Sequence, residues 1–259
     1  MKQGAGVRGP GSGKNHEATT ALRGRYARQL GIPGIGEAGQ ERLAAARVVV
    51  LGAGGLGFPV LTYLGAAGVG AIVVVDHDLV EASNLNRQCL FGEADIGQAK
   101  AARACAHLRA LNSTVGWEAV NDTVTDENAG RLLAGADLAV DCADNWEARF
   151  ALAASAWRAG VPVVHGAVAG FEGTVAVLGP PGPCVACLYP EVSGTRSAPP
   201  PVLGAVAGVV GSLMATEAIR ALCGGRRPGR GRVLLLDLER GSFDWVAVRR
   251  VSGCRICAD

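Results

Sequence analysis

A glycine-rich turn, Gly52-Ala-Gly54-Gly55-Leu-Gly57, stands between the apolar run Arg47 to Leu51 and a stretch of helical pattern. In a strand-to-helix setting such glycines let backbone amides approach phosphate at a helix N-terminus, although the same turn also serves purely structural ends. Asp76 closes the next apolar run, where a carboxylate can accept hydrogen bonds from ribose hydroxyls. To this point NAD, FAD and ATP are all admissible. The following segment departs from a dehydrogenase, because Ser83-Asn84-Leu-Asn-Arg87-Gln88 and Gly97-Gln-Ala-Lys100 bring two cations beside the glycine turn. Such cations suit a triphosphate whose charge develops further during reaction. Each also has a plain alternative. Arg87 is equally compatible with a surface role, and Lys100 with a solvated first turn, although a cation at the positive end of a helix dipole is locally unfavourable.

Further along, Asp141-Cys142-Ala-Asp144-Asn145 follows a short apolar run, so Asp144 sits where a magnesium ligand could stand and Asn145 where it could also cap a helix. Arg25-Tyr26-Ala-Arg28-Gln29 has no local pattern to place it, and a structural salt bridge is its default reading. Cys184-Val-Ala-Cys187 and Cys254-Arg-Ile-Cys257 form two knuckles whose four thiolates can close a tetrahedral zinc site with no open position. The competing reading, two redox pairs, lacks the strand-to-helix setting of a thioredoxin motif. Cys89, Cys105, Cys142 and Cys223 lie in or beside apolar segments and are expected as buried, inert thiols. His77 is expected as a surface turn residue that could touch a base edge, and His165 as a hydrogen-bonded core histidine. Gly11-Ser-Gly13-Lys14-Asn15 is a decoy for a phosphate loop: Arg8 stands where the first glycine is required and Asn15 replaces Ser or Thr.

The elements that must position these groups alternate. Strands are expected at Arg47–Leu51, Ala71–Val75, Val115–Val120, Leu138–Asp141 and Val161–His165, and helices at Glu37–Ala46, from the glycine turn to Gly68, and at Gln98–Leu111, Glu127–Leu133 and Trp146–Ala159. That alternation implies a Rossmann-like, mostly parallel sheet with right-handed crossovers and helices flanking it. After His165 the texture changes. A strand at Thr174–Leu178, a Pro-rich crossing loop Ser193–Pro201, a helix Leu203–Leu222 and strands Val233–Leu238 and Phe243–Val248 follow, the last two joined as a hairpin and giving antiparallel C-terminal strands.

At 259 residues the α/β chain is read as a flexible arm over 1–24 and one domain over 25–259. Its 25 basic and 23 acidic residues nearly balance, and no Lys or Arg run is long enough for a nucleic-acid or membrane patch. The longest apolar stretch, Val202 to Ala215, is short for a bilayer and reads as a buried core helix. Eight cysteines without a secretory signal fit a reducing cytoplasm with bound zinc better than a disulfide framework.

Taken together, Arg25-Tyr26-x-Arg28-Gln29, Gly52-x-Gly54-Gly55-x-Gly57, Asp76-x-Asp78, Ser83-Asn84-Leu85-x-Arg87-Gln88, Gly97-Gln98-x-Lys100 and Asp141-Cys142-x-Asp144-Asn145 resemble, in order and spacing, the ubiquitin-activating-enzyme-like superfamily. They resemble its bacterial MoeB/ThiF/HesA adenylyltransferase branch, from about Arg25 to Cys257. The resemblance implies ATP-dependent adenylation of the C-terminal glycine of a small ubiquitin-fold sulfur carrier ending in Gly-Gly, in a molybdopterin or thiamine type pathway. By matching position, Gly55 and its neighbours would contact phosphates, Asp76 the ribose, and Asn84 and Arg87 the triphosphate. Lys100 would stabilise charge at the α-phosphate, Asp144 would hold Mg2+, and Arg28 would reach the ATP site of a second subunit in a homodimer. A terminal carboxylate with a pKa of about 3.5 is ionised at neutral pH, so no catalytic His is expected. Many relatives carry a cysteine in the crossing loop where this chain has Ser197, and no rhodanese-like extension follows Cys257. The chain is therefore expected to stop at the acyl-adenylate. Adenylation of a peptide or modified tRNA base, or a non-catalytic nucleotide-binding zinc module, are the alternatives.

Overall fold

The computed structural model describes residues 24–192, 200–224 and 231–258. Helices are α1 (24–30), α2 (Gly36–Ala45), α3 (Gly57–Ala67), α4 (Lys100–Leu111), α5 (Ala129–Leu132), α6 (Trp146–Ala159), α7 (Val185–Leu188) and α8 (Gly204–Leu222). Strands are β1 (Arg47–Leu51), β2 (Ala71–Val75), β3 (Gly116–Val120), β4 (Leu138–Asp141), β5 (Val163–Ala169), β6 (Glu172–Leu178), β7 (Arg232–Asp237) and β8 (Ser242–Ala247). They form one eight-stranded sheet in the order β3-β2-β1-β4-β5-β6-β7-β8. Pairing is parallel from β3 to β5 and antiparallel from β5 to β8.

The central parallel strands β1, β2 and β4 are near-continuous apolar runs because both faces are covered, whereas the edge strand β3 buries only Trp117. Val48 and Val50 of β1 point to a core shared with α2, α3, α4 and α8, whereas Val49 and Leu51 point to a second core under α5 and α6. The strand order reverses between β1 and β4, so the loops leaving these two strands diverge and leave a crevice at their C-terminal ends.

Where the observed elements depart from the sequence expectation, a specific contact explains it. Helix α4 starts at Lys100 rather than Gln98, because the Gln98 carbonyl accepts from Val80 N–H (2.8 Å) and the Gly97 N–H donates to the Val80 carbonyl (2.8 Å). Helix α5 shrinks to one turn: Asn128 accepts from Thr125 N–H (2.9 Å) and donates to the Thr123 carbonyl (2.8 Å), binding the backbone outside the helix. Strands β5 and β6 run through Gly166 and Gly173, which break the apolar pattern. A Cβ at these positions would lie 2.2 Å from Met214 Sδ and 2.4 Å from Val210 Cγ2, so the glycines mark where α8 crosses the sheet. Helix α8 is long and apolar enough to cross a membrane, yet Val206, Val210, Met214 and Ala218 are buried, as expected of a core helix. One expectation fails. Cys89 is exposed, in a turn whose neighbours Gln88 and Phe91 take the buried positions; Cys105, Cys142 and Cys223 are buried, and burial pushes the Cys105 thiol up to about 11. Ser197 and residues 1–23 lie outside the described residues.

His165 is a hydrogen-bonded core histidine. The β4–β5 register sets it opposite Asp141, and its Nδ1 lies 2.7 Å from Asp141 Oδ2. Burial pulls His165 below its ordinary value, so it is neutral; its Nδ1–H donates to the carboxylate and Nε2 accepts from the Tyr189 hydroxyl (3.0 Å). Asp141, although buried, is held below the usual carboxylate range by Arg149 and His165.

Two predictions follow from these contacts. A Cβ at Gly57 would stand 2.1 Å from the Gly52 carbonyl oxygen, whereas one at Gly208 meets nothing within 4 Å. Gly57→Ala therefore lowers stability by about 2–3 kcal/mol in urea unfolding, and Gly208→Ala is neutral or stabilising by up to about 1 kcal/mol. For His165, the unfolded chain takes up a proton that the folded chain refuses, so stability is full above about pH 6.5 and is lost as pH falls toward the depressed folded value. His165→Gln is expected to shrink the drop in urea midpoint between about pH 7.5 and 5.5; an unchanged drop would refute the assignment.

Candidate active site

The crevice at the β1/β4 reversal is a cavity of about 470 Å³. Its walls come from the loops that leave the first four strands, joined by Asn86–Gln88, Lys100, Pro200–Val202 and Ala207. The glycine turn forms one wall. Gly52 has φ +94°, and a Cβ there would lie 2.8 Å from the Cys142 carbonyl oxygen, so only glycine lets β1 and the β4 loop approach this closely. Gly54 and Gly55 face the cavity, and side chains at those positions would fill it. The turn opens α3, whose first-turn N–H groups are suited to phosphate.

Asp76 fixes this wall. Its Oδ2 accepts the Ala53 N–H (2.7 Å) and its Oδ1 the Asp78 N–H (2.9 Å), while its remaining lone pairs border the cavity. Burial raises the Asp76 pKa, and these two N–H donors oppose the rise. Beside it, Lys100 is buried at the first position of α4. The Asp78 carbonyl accepts its backbone N–H (2.9 Å), and the Asp78 carboxylate accepts from its Nζ (2.8 Å). The ion pair offsets the unfavourable helix dipole and holds the Lys100 side chain at the cavity wall. His77, exposed, lies 3.3 Å from the other Asp78 oxygen.

Arg87 donates to the Ser83 carbonyl (2.9 Å) and to Asn86 Oδ1 (3.1 Å). Asn84 is buried, and its Oδ1 accepts the Glu81 N–H (3.1 Å). Ser83 and Asn84 thus build the turn that presents Arg87 and do not themselves line the cavity. Gln88 does line it, 4% exposed, with an Oε1 that has no hydrogen-bond partner among the described residues.

On the far wall Asn145 caps α6, its Oδ1 accepting the Ala148 N–H (2.9 Å). Asp144, one residue earlier, is exposed to the cavity, and no described residue hydrogen-bonds its carboxylate. Like Ser83 and Asn84, Gly57 and Arg28 do not line the cavity. Gly57 is a packing position, and Arg28 is exposed on α1 and does not line this chain's cavity.

Sequence reasoning missed Asn86, Asp122–Val124, Trp146 and Arg149, all of which line the cavity. The signal for Asp122–Val124 was their place at the C-terminal edge of a parallel strand; for Trp146 and Arg149 it was their i, i+3 spacing directly after the Asn145 cap. Arg149 is 6% exposed, pairs with Asp141 (3.0 Å) and donates to the carbonyl of Ala143.

Away from the cavity, Cys184, Cys187, Cys254 and Cys257 are buried together, with Sγ separations of 3.8, 3.5 and 3.3 Å around the set. Sulfurs at about 2.3 Å from a tetrahedral zinc stand about 3.8 Å apart, so the cluster fits a structural zinc knuckle and none of the four is disulfide-bonded. The Val251 N–H donates to Cys187 Sγ (3.3 Å). Burial opposes ionisation of Cys254, but the N–H groups of Cys257 and Ile256 and the neighbouring thiols bring it down to about 7.

Comparison with known proteins agrees with this geometry. The ThiF family profile matches residues 26–256. The chain is 45% identical over 245 residues to a sulfur carrier protein adenylyltransferase of Thermus thermophilus, covering 91% of this chain and 90% of that one. It is 41% identical to the SAMP-activating enzyme E1 of Haloferax volcanii, over 91% and 88% of the two chains. To the adenylyltransferase and sulfurtransferase MOCS3 of Bos taurus it is 43% identical, over 91% of this chain and 53% of that one. Among solved structures, E. coli MccB with MccA-N7isoASN shares the fold at a TM-score of 0.79 and 22% identity, over 92% of this chain and 75% of that one. With the match running through nearly all the described residues, from the N-terminal helix to the second cysteine knuckle, the chain is a member of the ThiF family.

Proposed function

We propose that this chain uses ATP to adenylate the C-terminal carboxylate of a ubiquitin-fold sulfur-carrier protein, releasing pyrophosphate. The observation that carries the reading is the meeting, in one cavity at the strand reversal, of a glycine wall with Arg87, Lys100 and an unengaged Asp144 carboxylate. The adenylyltransferase names of relatives above 40% identity support the same reaction, and the relatives from Thermus and Haloferax support a carrier protein as its acceptor.

The residues account for the chemistry without a general base. A terminal carboxylate is already ionised at neutral pH, so the step needs alignment and charge neutralisation. Gly54 and Gly55 leave room for phosphate against the first turn of α3. Arg87 and Lys100 meet charge that grows on the α-phosphate and the leaving group; Lys100 exchanges its Asp78 partner for phosphate, an exchange of like acceptors that leaves the ammonium paired throughout. The freely disposed carboxylate of Asp144 suits a magnesium ion, which would supply further charge neutralisation. Arg28, which does not line its own chain's cavity, would act across a homodimer. The knuckle cysteines would hold zinc in a reducing compartment and tie the C-terminal segment to α7.

Three measurements test this. Carrier-dependent ATP–pyrophosphate exchange is expected with a partner ending in Gly-Gly, reduced about 100-fold or more by Lys100→Ala or Asp144→Ala; a mixture of Arg28→Ala and Lys100→Ala chains should regain exchange if Arg28 works in trans. Exchange with free peptide or tRNA and none with any carrier would replace the acceptor. Metal analysis of the purified chain should find zinc, lost together with thermal stability in Cys187→Ser; a chain equally stable without metal would sink the structural role.

A further inference from the structure

We propose that Tyr189, which does not line the cavity, is a positioning residue for the nucleotide site: it holds both flanks of the turn Ala143–Asn145 and so sets where Asp144 stands. Tyr189 follows Cys187 by two residues and ends α7, so it is anchored by the knuckle. On one side its hydroxyl donates to His165 Nε2 (3.0 Å), His165 donates to Asp141 (2.7 Å), and the other Asp141 oxygen accepts the Ala143 N–H (3.0 Å). Arg149, paired with the same Asp141 (3.0 Å), holds the Ala143 carbonyl, so both polar groups of that residue are grasped from one buried carboxylate and its partner. On the other side the Tyr189 ring meets Trp146 edge-on (4.9 Å between centroids), and Trp146 follows Asn145 and lines the cavity. The residues between these two grips are Asp144 and Asn145.

A purely structural role would not require this chemistry. Burying a hydroxyl, an imidazole, a carboxylate and a guanidinium costs desolvation that an apolar set of similar volume avoids. Here the chain of polar groups ends on the backbone of the residue preceding Asp144, where a small displacement moves a carboxylate that the proposed reaction needs in one place. His165 is fully buried, and among the described residues its ring nitrogens are directed by Tyr189 and Asp141 alone.

The experiment uses the full chain with its metal bound and measures magnesium–ATP affinity by calorimetry, without any carrier. Tyr189→Phe keeps the ring against Trp146 and removes only the hydroxyl; it is expected to weaken binding about tenfold. Leu43→Val, a core substitution remote from the turn, is the control for lost stability and should leave affinity unchanged. In a double-mutant cycle, Asp144→Asn should add little to Tyr189→Phe, because the hydroxyl acts through that carboxylate. Affinity of Tyr189→Phe within twofold of wild type, an equal loss in Leu43→Val, additive losses in the cycle, or absence of nucleotide binding by the wild-type chain would each overturn the proposal. The inference rests on the adenylation reading only for the role of Asp144. Wild-type chain that binds nucleotide but shows no exchange with any carrier refutes that reading while the affinity data still decide this one. Where exchange is present, Tyr189→Phe should lower kcat and raise KM for ATP but leave KM for the carrier unchanged.

Discussion

Gly52 leaves β1 with φ +94° and passes so close to the Cys142 carbonyl that no Cβ fits between them. Most of the site depends on this contact. It lets the loops of β1 and β4 diverge from a common point at the strand reversal, and the cavity is the space between them. Gly57 repeats the constraint from the other side, since its Cα approaches the Gly52 carbonyl, and Asp76 ties the turn to β2 through the Ala53 N–H. The glycine wall is thus held by backbone proximity and one buried carboxylate. Three of its four glycines, Gly52, Gly54 and Gly55, line the cavity, and Gly52 and Gly57 allow the backbone to pack closely enough to make it.

Charge in the cavity is arranged in pairs that a ligand can enter. Lys100 is buried and would be costly there alone, at the wrong end of a helix dipole, but Asp78 takes both its backbone N–H and its ammonium. Arg87 rests on a carbonyl and an amide oxygen, neutral partners that phosphate can replace at little cost. In the same cavity Asp144 is left without a protein partner among the described residues. Cations with exchangeable partners facing an unengaged carboxylate describe a site prepared for a polyanion and its metal ion.

The cysteine knuckle lies outside this site and yet is continuous with it. Its two halves come from α7 and the C-terminal segment, and the residues packed around it, Phe150, Trp157 and Ile256, lead into α6, whose first turn carries Trp146 and Arg149. A short segment such as α7, one turn long, has little stability of its own. Closing four thiols on a metal would fix it, and with it Tyr189.

What the sequence determined by itself was everything encoded locally. β1, β2, β4 and α6 were legible to the residue because apolar runs and an Asn cap are short-range signals. The four knuckle cysteines, the glycine turn, and the placing of Asp76, Arg87, Lys100 and Asp144 beside it rested on motif spacing. The tertiary structure alone decided which of these residues share a wall. It assigned Ser83 and Asn84 to supporting Arg87 and Gly57 to packing, left Arg28 outside its own chain's cavity, and exposed Cys89, whose apolar neighbours had suggested burial. It also drew Asp122 and Arg149 into the site and joined Asp141, His165 and Tyr189 across strands and a helix far apart in the chain. The physical reason is range: a strand or a cap is written in neighbouring residues, whereas the direction a side chain faces depends on which distant backbone comes close enough to leave it room.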